Sequence, residues 1–176
     1  MKSSHRKIIV LAACLASPLA QAHDNSLGTG LLAGLAHPLT GLDHLVALVL
    51  CGLLFARLAR GRYLALGGLA GVLGLGAVGG LSLGALAGME TLVLLSLPVL
   101  AVLQWRGRPA VALAVAGLFM AAHGWMHGVE TRGMTQAFLA GFLVSSVACA
   151  GLATLLGVTL RARFASSRDA TRSGLA

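Results

Sequence analysis

Apolar residues run in long blocks along this chain, broken by short polar segments rich in arginine. Five blocks predict membrane helices, at about residues 42–59, 63–83, 91–104, 109–127 and 136–160. A helix rises 1.5 Å per residue and needs about 20 apolar residues to cross the hydrocarbon layer. The stretch from Tyr63 to Leu103 is about twice that long, so a break is expected near Gly84–Glu90. "SLGTGLLAGLA", residues 26–36, is apolar but too short to cross. It reads as a re-entrant or interfacial half-helix ended by Pro38. The predicted fold class is an all-α integral membrane protein of about five transmembrane helices plus this half-helix.

The first 22 residues read as a cleaved signal peptide. "MKSSHRK" is a basic leader, "IIVLAACLA" an apolar core, and Ala20-Gln21-Ala22 a small-residue cleavage site. Cleavage there makes His23 the first residue. "LAAC", residues 11–14, offers an alternative lipoprotein site at Cys14, behind a shorter apolar core. The predicted organisation is a signal peptide over 1–22, a helical membrane domain over 23–160, and a polar, disordered cytoplasmic tail over 161–176.

Composition agrees with the pattern. The chain is 57% hydrophobic and 10% charged, where a soluble domain carries about 25% charged residues. The net charge of +8 falls to +5 once the leader's three basic residues are gone. That charge does not indicate nucleic-acid binding, because the arginines are scattered among short loops rather than gathered in a patch. With five spans and a translocated N-terminus, Arg57, Arg60, Arg62, Arg106, Arg108, Arg161, Arg163, Arg168 and Arg172 share the cytoplasmic side. Only Arg132 falls outside. Asp24, Asp43, Glu90 and Glu130 fall outside and Asp169 inside, so the positive-inside rule sets an outside N-terminus and an inside C-terminus. Cys51 and Cys149 sit within apolar spans and make no disulfide framework or thiolate site. Gly76, Gly80, Gly84 and Gly88 recur every fourth residue, as do Gly67 and Gly71. Such ladders let helices approach closely, chiefly within the chain; a homo-oligomer contact is the alternative.

Two short stretches do not fit a purely structural membrane helix. "HPLTGLDH" carries His37, Asp43 and His44; "HGWMHGVE" carries His123, His127 and Glu130. The last three stand at i, i+4 and i+7 and share one helix face. The arginine-based topology puts both clusters at the outer side, at one depth. Ionisable residues within spans are costly and mark function by default. Each also has a plainer reading: Thr40 and Asp43 as a capping box, His37 as a locally bonded loop residue, Glu130 as a solvated loop charge. Glu90 carries no motif. Imidazole with carboxylate, without thiolate, suits Ni²⁺, Co²⁺, Zn²⁺ or Cu²⁺, and does not choose among them.

The two motifs together resemble the HupE/UreJ family of bacterial nickel permeases. That resemblance implies that His37, Asp43, His44, His123, His127 and Glu130 are the metal-binding positions. It also implies a multi-pass protein of the bacterial inner membrane, with a periplasmic N-terminus, supplying nickel to hydrogenase or urease. No tightly bound cofactor is implied; the transported Ni²⁺ or Co²⁺ is cargo, and the protein is not an enzyme. The expected partners are the divalent ion and the lipid bilayer. The chain departs from the family at Met126, usually a small residue, and at Ala122, usually Phe. "SSVACAG" puts Ala150 near the place of a further span-five His, and a polar tail replaces a last hydrophobic span. Two other readings of the same residues are an intramembrane zinc hydrolase, with Glu130 or Asp43 as base, and haem ligation by His pairs.

Overall fold

A computed structural model describes residues 30–105, 108–130 and 136–172. The signal peptide, Cys14 and His23 lie outside the described residues. Within them the chain forms six helices and no strand. They are α1 (Leu31–Thr40), α2 (Leu42–Phe55), α3 (Arg62–Leu83), α4 (Met89–Leu103), α5 (Pro109–Glu130) and α6 (Gln136–Arg172). The helices α3 and α5, and α6 up to Ser167, are long and apolar enough to cross a bilayer. The pair α1 and α2 passes the same test together, bent by 79° at its junction. The third expected span, α4, is apolar but only 15 residues long. Leu64, Leu75, Leu118, Val144 and Leu152 are exposed, which suits a lipid surround. The chain is a multi-pass membrane protein.

The glycines explain the tightest helix pair. A Cβ on Gly76 or Gly80 would overlap the backbone of Ala121 or Trp125, and one on Gly124 or Gly128 that of Leu73 or Ala77. Two glycine faces therefore interlock, and α3 and α5 run parallel with their backbones in contact. Gly52 of α2 does the same against Ala150 of α6, and Gly34 of α1 against Phe138 of α6. The ladder packs within the chain at Gly76 and Gly80. Gly84 and Gly88 leave it: they cap α3 and α4 at φ 77° and 88°, where side chains are disfavoured. The break expected near residues 84–90 falls between these two caps.

Three boundaries differ from the sequence expectation. Pro38 does not end the half-helix; it lies inside α1, which runs to Thr40. Proline removes one hydrogen bond, a small loss in a helix that closes two residues later, and its fixed φ is helical. The Gly41 N–H and the Thr40 hydroxyl both donate to the His37 carbonyl and finish the turn. The helix of span one stops at Phe55, not 59. The tail, expected to be irregular, continues α6 to Arg172. No Gly or Pro interrupts residues 158–172, and the Ser166 and Ser167 hydroxyls donate back to the Ala162 and Arg163 carbonyls. Polarity argues against lipid contact, not against a helix.

Side-chain bonds fix which ends lie together. The Arg57 guanidinium donates to the Leu103 carbonyl, and the Gln104 amide donates to the Leu50 carbonyl at 2.9 Å. These tie the C-terminal ends of α2 and α4. At the opposite end the Trp125 indole N–H donates to the Gly84 carbonyl at 2.9 Å. By connectivity Arg57, Arg60, Arg62 and Arg108 share one end, while Asp43, Glu90 and Glu130 share the other. The charge separation read from the sequence is thus present in the fold.

Candidate metal site

The site is built by a broken helix. Gly41 is at once the cap of α1 and the cap of α2, with extended backbone at φ −85° and ψ 105°. A break of this kind places the last turn of one helix beside the first turn of the next. His37 comes from the former, Asp43 and His44 from the latter. Discontinuous membrane helices commonly put such ends at a substrate site. The last two turns of α5 arrive from the side with His123 and His127 on one face.

Four imidazoles from these three helices meet. The ring centroids of His44 lie 4.5 Å from His127, 5.3 Å from His123 and 5.7 Å from His37, and His37 lies 4.7 Å from His127. Two imidazoles sharing one ion at a metal–nitrogen distance of about 2.1 Å have centroids about 4.5–5.2 Å apart for bond angles of about 90–109°. The pairs His44–His127 and His37–His127 fall in that range, His44–His123 lies just beyond it, and His37–His44 is wider. The rings meet tilted or edge to face, and among the described residues no three His, Cys, Asp or Glu side chains are arranged to hold a metal ion as they stand.

The partners of two rings fix their tautomers. His44 Nδ1 lies 3.0 Å from Asp43 Oδ1. A carboxylate only accepts, so Nδ1 carries a proton, and in the neutral ring Nε2 keeps the lone pair. His123 Nδ1 donates to the Phe119 carbonyl at 2.9 Å, which again leaves Nε2 as the acceptor. That Nε2 is buried with no hydrogen-bond partner. A histidine whose far N–H is held by a carboxylate or a carbonyl is the usual second-layer arrangement around a bound metal. His127 Nδ1 lies 3.7 Å from Glu130 Oε2, within ion-pair range.

All six residues singled out in the sequence lie at this end of the fold, and contacts join them into one group. The capping-box reading of Asp43 is corrected. Gly41, not Thr40, is the N-cap, and no side chain caps α2. The Asp43 carboxylate is turned to His44 instead, because glycine's extended backbone already starts the helix. Glu90 sits exposed in the first turn of α4 at the same end. Ala150, near the position of the family's further His, is two turns below Phe142, about 12 Å deeper along α6. It is fully buried against α2 and belongs to another layer.

Sequence reasoning missed Phe138 and Phe142. Both are buried on α6, four residues apart; Phe142 lies 4.4 Å from His127 and 6.2 Å from His37, and Phe138 lies 5.5 Å from His37. They wall the imidazoles on the side opposite α5. Their i, i+4 spacing is the only trace they leave in the sequence, and any packed apolar helix face looks the same.

Comparison with known proteins bears on the family of the chain. The sequence model described as HupE / UreJ protein matches residues 11–175. The chain is 34% identical over 150 residues to the protein HupE of Rhizobium leguminosarum bv. viciae, covering 81% of this chain and 78% of that one. No solved structure matches significantly. A family match over nearly the whole chain, together with both histidine motifs converging in one place, identifies this chain as a member of the HupE/UreJ family.

Proposed function

We propose that this protein is a permease for a divalent transition metal, foremost nickel, with cobalt as the nearest variant. The observation that carries the reading is the convergence of four imidazoles and two carboxylates from three helices at one end of a membrane bundle. His37, Asp43, His44, His123, His127 and Glu130 are assigned to capture the ion at the periplasmic face. The positive-inside rule puts the arginine end in the cytoplasm and so the site outside. Permeation needs binding strong enough to strip water from the ion and weak enough to release it. Mixed imidazole and carboxylate ligands on separate helices suit that need better than a closed thiolate cage. The ion would go to metalloenzyme assembly, of hydrogenase or urease. The protein acts without chemistry on its cargo and is not an enzyme.

The test is uptake of radiolabelled nickel by cells lacking other nickel importers, with cobalt, manganese and zinc as competitors. Uptake blocked best by cobalt agrees with this reading; absence of uptake at normal membrane abundance overturns it.

A pH dependence follows. Only a neutral imidazole has a lone pair for a metal, and an unperturbed histidine titrates near about pH 6.5. Uptake is expected to fall as the medium is acidified through that range, with bound metal pushing the midpoint lower. Uptake that stays level from about pH 8 to about pH 5 would remove the histidines from the ligand set.

A further inference from the structure

Below the histidines the bundle contains a cleft. The glycine faces hold α3 and α5 together only over their C-terminal halves. Below Leu73 the two helices part, and Cys51 and Phe55 of α2 close the floor between them. The space has a volume of about 210 Å³, and Leu69, Val72, Gly68 and Gly117 are among the residues that line it. Gly68 is exposed, and a Cβ on either Gly68 or Gly117 would meet no atom within 4 Å. The mouth is therefore formed by backbone rather than by side chains. The volume is below the usual size of small-molecule sites and suits part of one hydrocarbon chain.

The mouth lies in the arginine-bearing half. Gly68 is six residues along α3 from Arg62, about 9 Å, and Gly117 nine residues from Arg108, about 13 Å. Because α3 and α5 are parallel, Arg62 and Arg108 stand at the same end of the cleft. Arg108 is exposed, and Arg62 is partly exposed with one guanidinium nitrogen donating to the Leu58 carbonyl. Tyr63 and Trp105, both well exposed, lie at this level too. Exposed Tyr and Trp mark the headgroup region of a bilayer. An apolar cleft whose mouth lies about two turns above a pair of arginines at headgroup level has the dimensions and charge of a lipid site.

We propose that this cleft binds one anionic phospholipid, with an acyl chain between α3 and α5 and its phosphate held by Arg62 and Arg108. Basic pockets between helices on the cytoplasmic side are suited to such headgroups. Filling the cleft would keep the lower halves of α3 and α5 apart at a fixed spacing while the glycine faces lock the upper halves. The site is separate from the metal reading and does not depend on it.

The test is native mass spectrometry of the full chain in mild detergent, titrated with phosphatidylglycerol or with phosphatidylcholine. The expected wild-type result is one retained phosphatidylglycerol, in clear preference to phosphatidylcholine. Arg62→Gln and Arg108→Gln should each weaken that preference by about fivefold. Gly117→Leu should abolish retention of either lipid by filling the cleft; Gly68→Leu, on the opposite wall, repeats the test should the first variant fail to fold. Retention of phosphatidylglycerol by a folded leucine variant at wild-type strength would overturn the proposal. So would a wild-type protein that holds both lipids equally.

Discussion

Nickel uptake by the Asp43→Asn protein is expected to fall by about 10–100-fold at unchanged membrane abundance, the usual cost of losing a group that orients a metal-binding histidine. Asparagine keeps the shape of aspartate, and α2 does not need the charge to start, since Gly41 is its N-cap and no side chain caps it. The loss should therefore be one of function rather than of folding. Asp43 holds His44 Nδ1 at 3.0 Å. As a carboxylate it can only accept, which keeps the proton on Nδ1 and the lone pair on Nε2. An asparagine amide can turn its NH₂ to the ring instead. The tautomer then reverses, and His44 presents an N–H to the cluster where an ion needs a lone pair. The negative charge that attracts the cation is also gone. His44→Ala should match this loss or exceed it. Wild-type uptake by Asp43→Asn at equal abundance would strike Asp43 from the site.

The second large effect is expected from Gly128→Val. A Cβ there would overlap the Ala77 carbonyl oxygen, and the Leu81 amide lies close behind. Both are backbone atoms in a helix and cannot swing aside. The α3–α5 pair must part, at a cost at the upper end of the about 1–3 kcal/mol usual for overpacking. Since the residue before Gly128 is His127, the same displacement should pull that ring away from His44 and His37. The expected result is a clear drop in thermal stability in detergent together with loss of uptake. Gly67→Ala is the control. It lies on α3 with no atom within 4 Å of the new methyl, and alanine favours a helix over glycine by about 1 kcal/mol. It should melt no lower than wild type. A Gly128→Val protein with wild-type melting and uptake would mean that these helices are not in backbone contact.

Much of this protein is readable one residue at a time. Hydrophobic runs gave the helical class and the break between α3 and α4, because bilayer thickness imposes a length on any spanning helix. Arginine placement gave the separation of charges to two ends, which needs only the order of spans. The spacing of His123, His127 and Glu130 gave their common face, since helical periodicity is local. Once those were combined, the two motifs could be placed at one depth. What the sequence could not determine was contact. The 79° turn at Gly41, which sets His37 beside His44 and His127, depends on α1 packing its Gly34 against Phe138 of α6. Proline suggested that α1 ends at residue 38; hydrogen bonds onto the His37 carbonyl carried it to Thr40. The Asp43 carboxylate faces a histidine rather than the helix start, a choice made by the conformation of Gly41. Phe138 and Phe142 became walls of the site only because α6 lies where it does. Periodicity fixes which way a side chain points from its own helix, but what it meets depends on the neighbouring helix, and close packing between backbones is what decided that here.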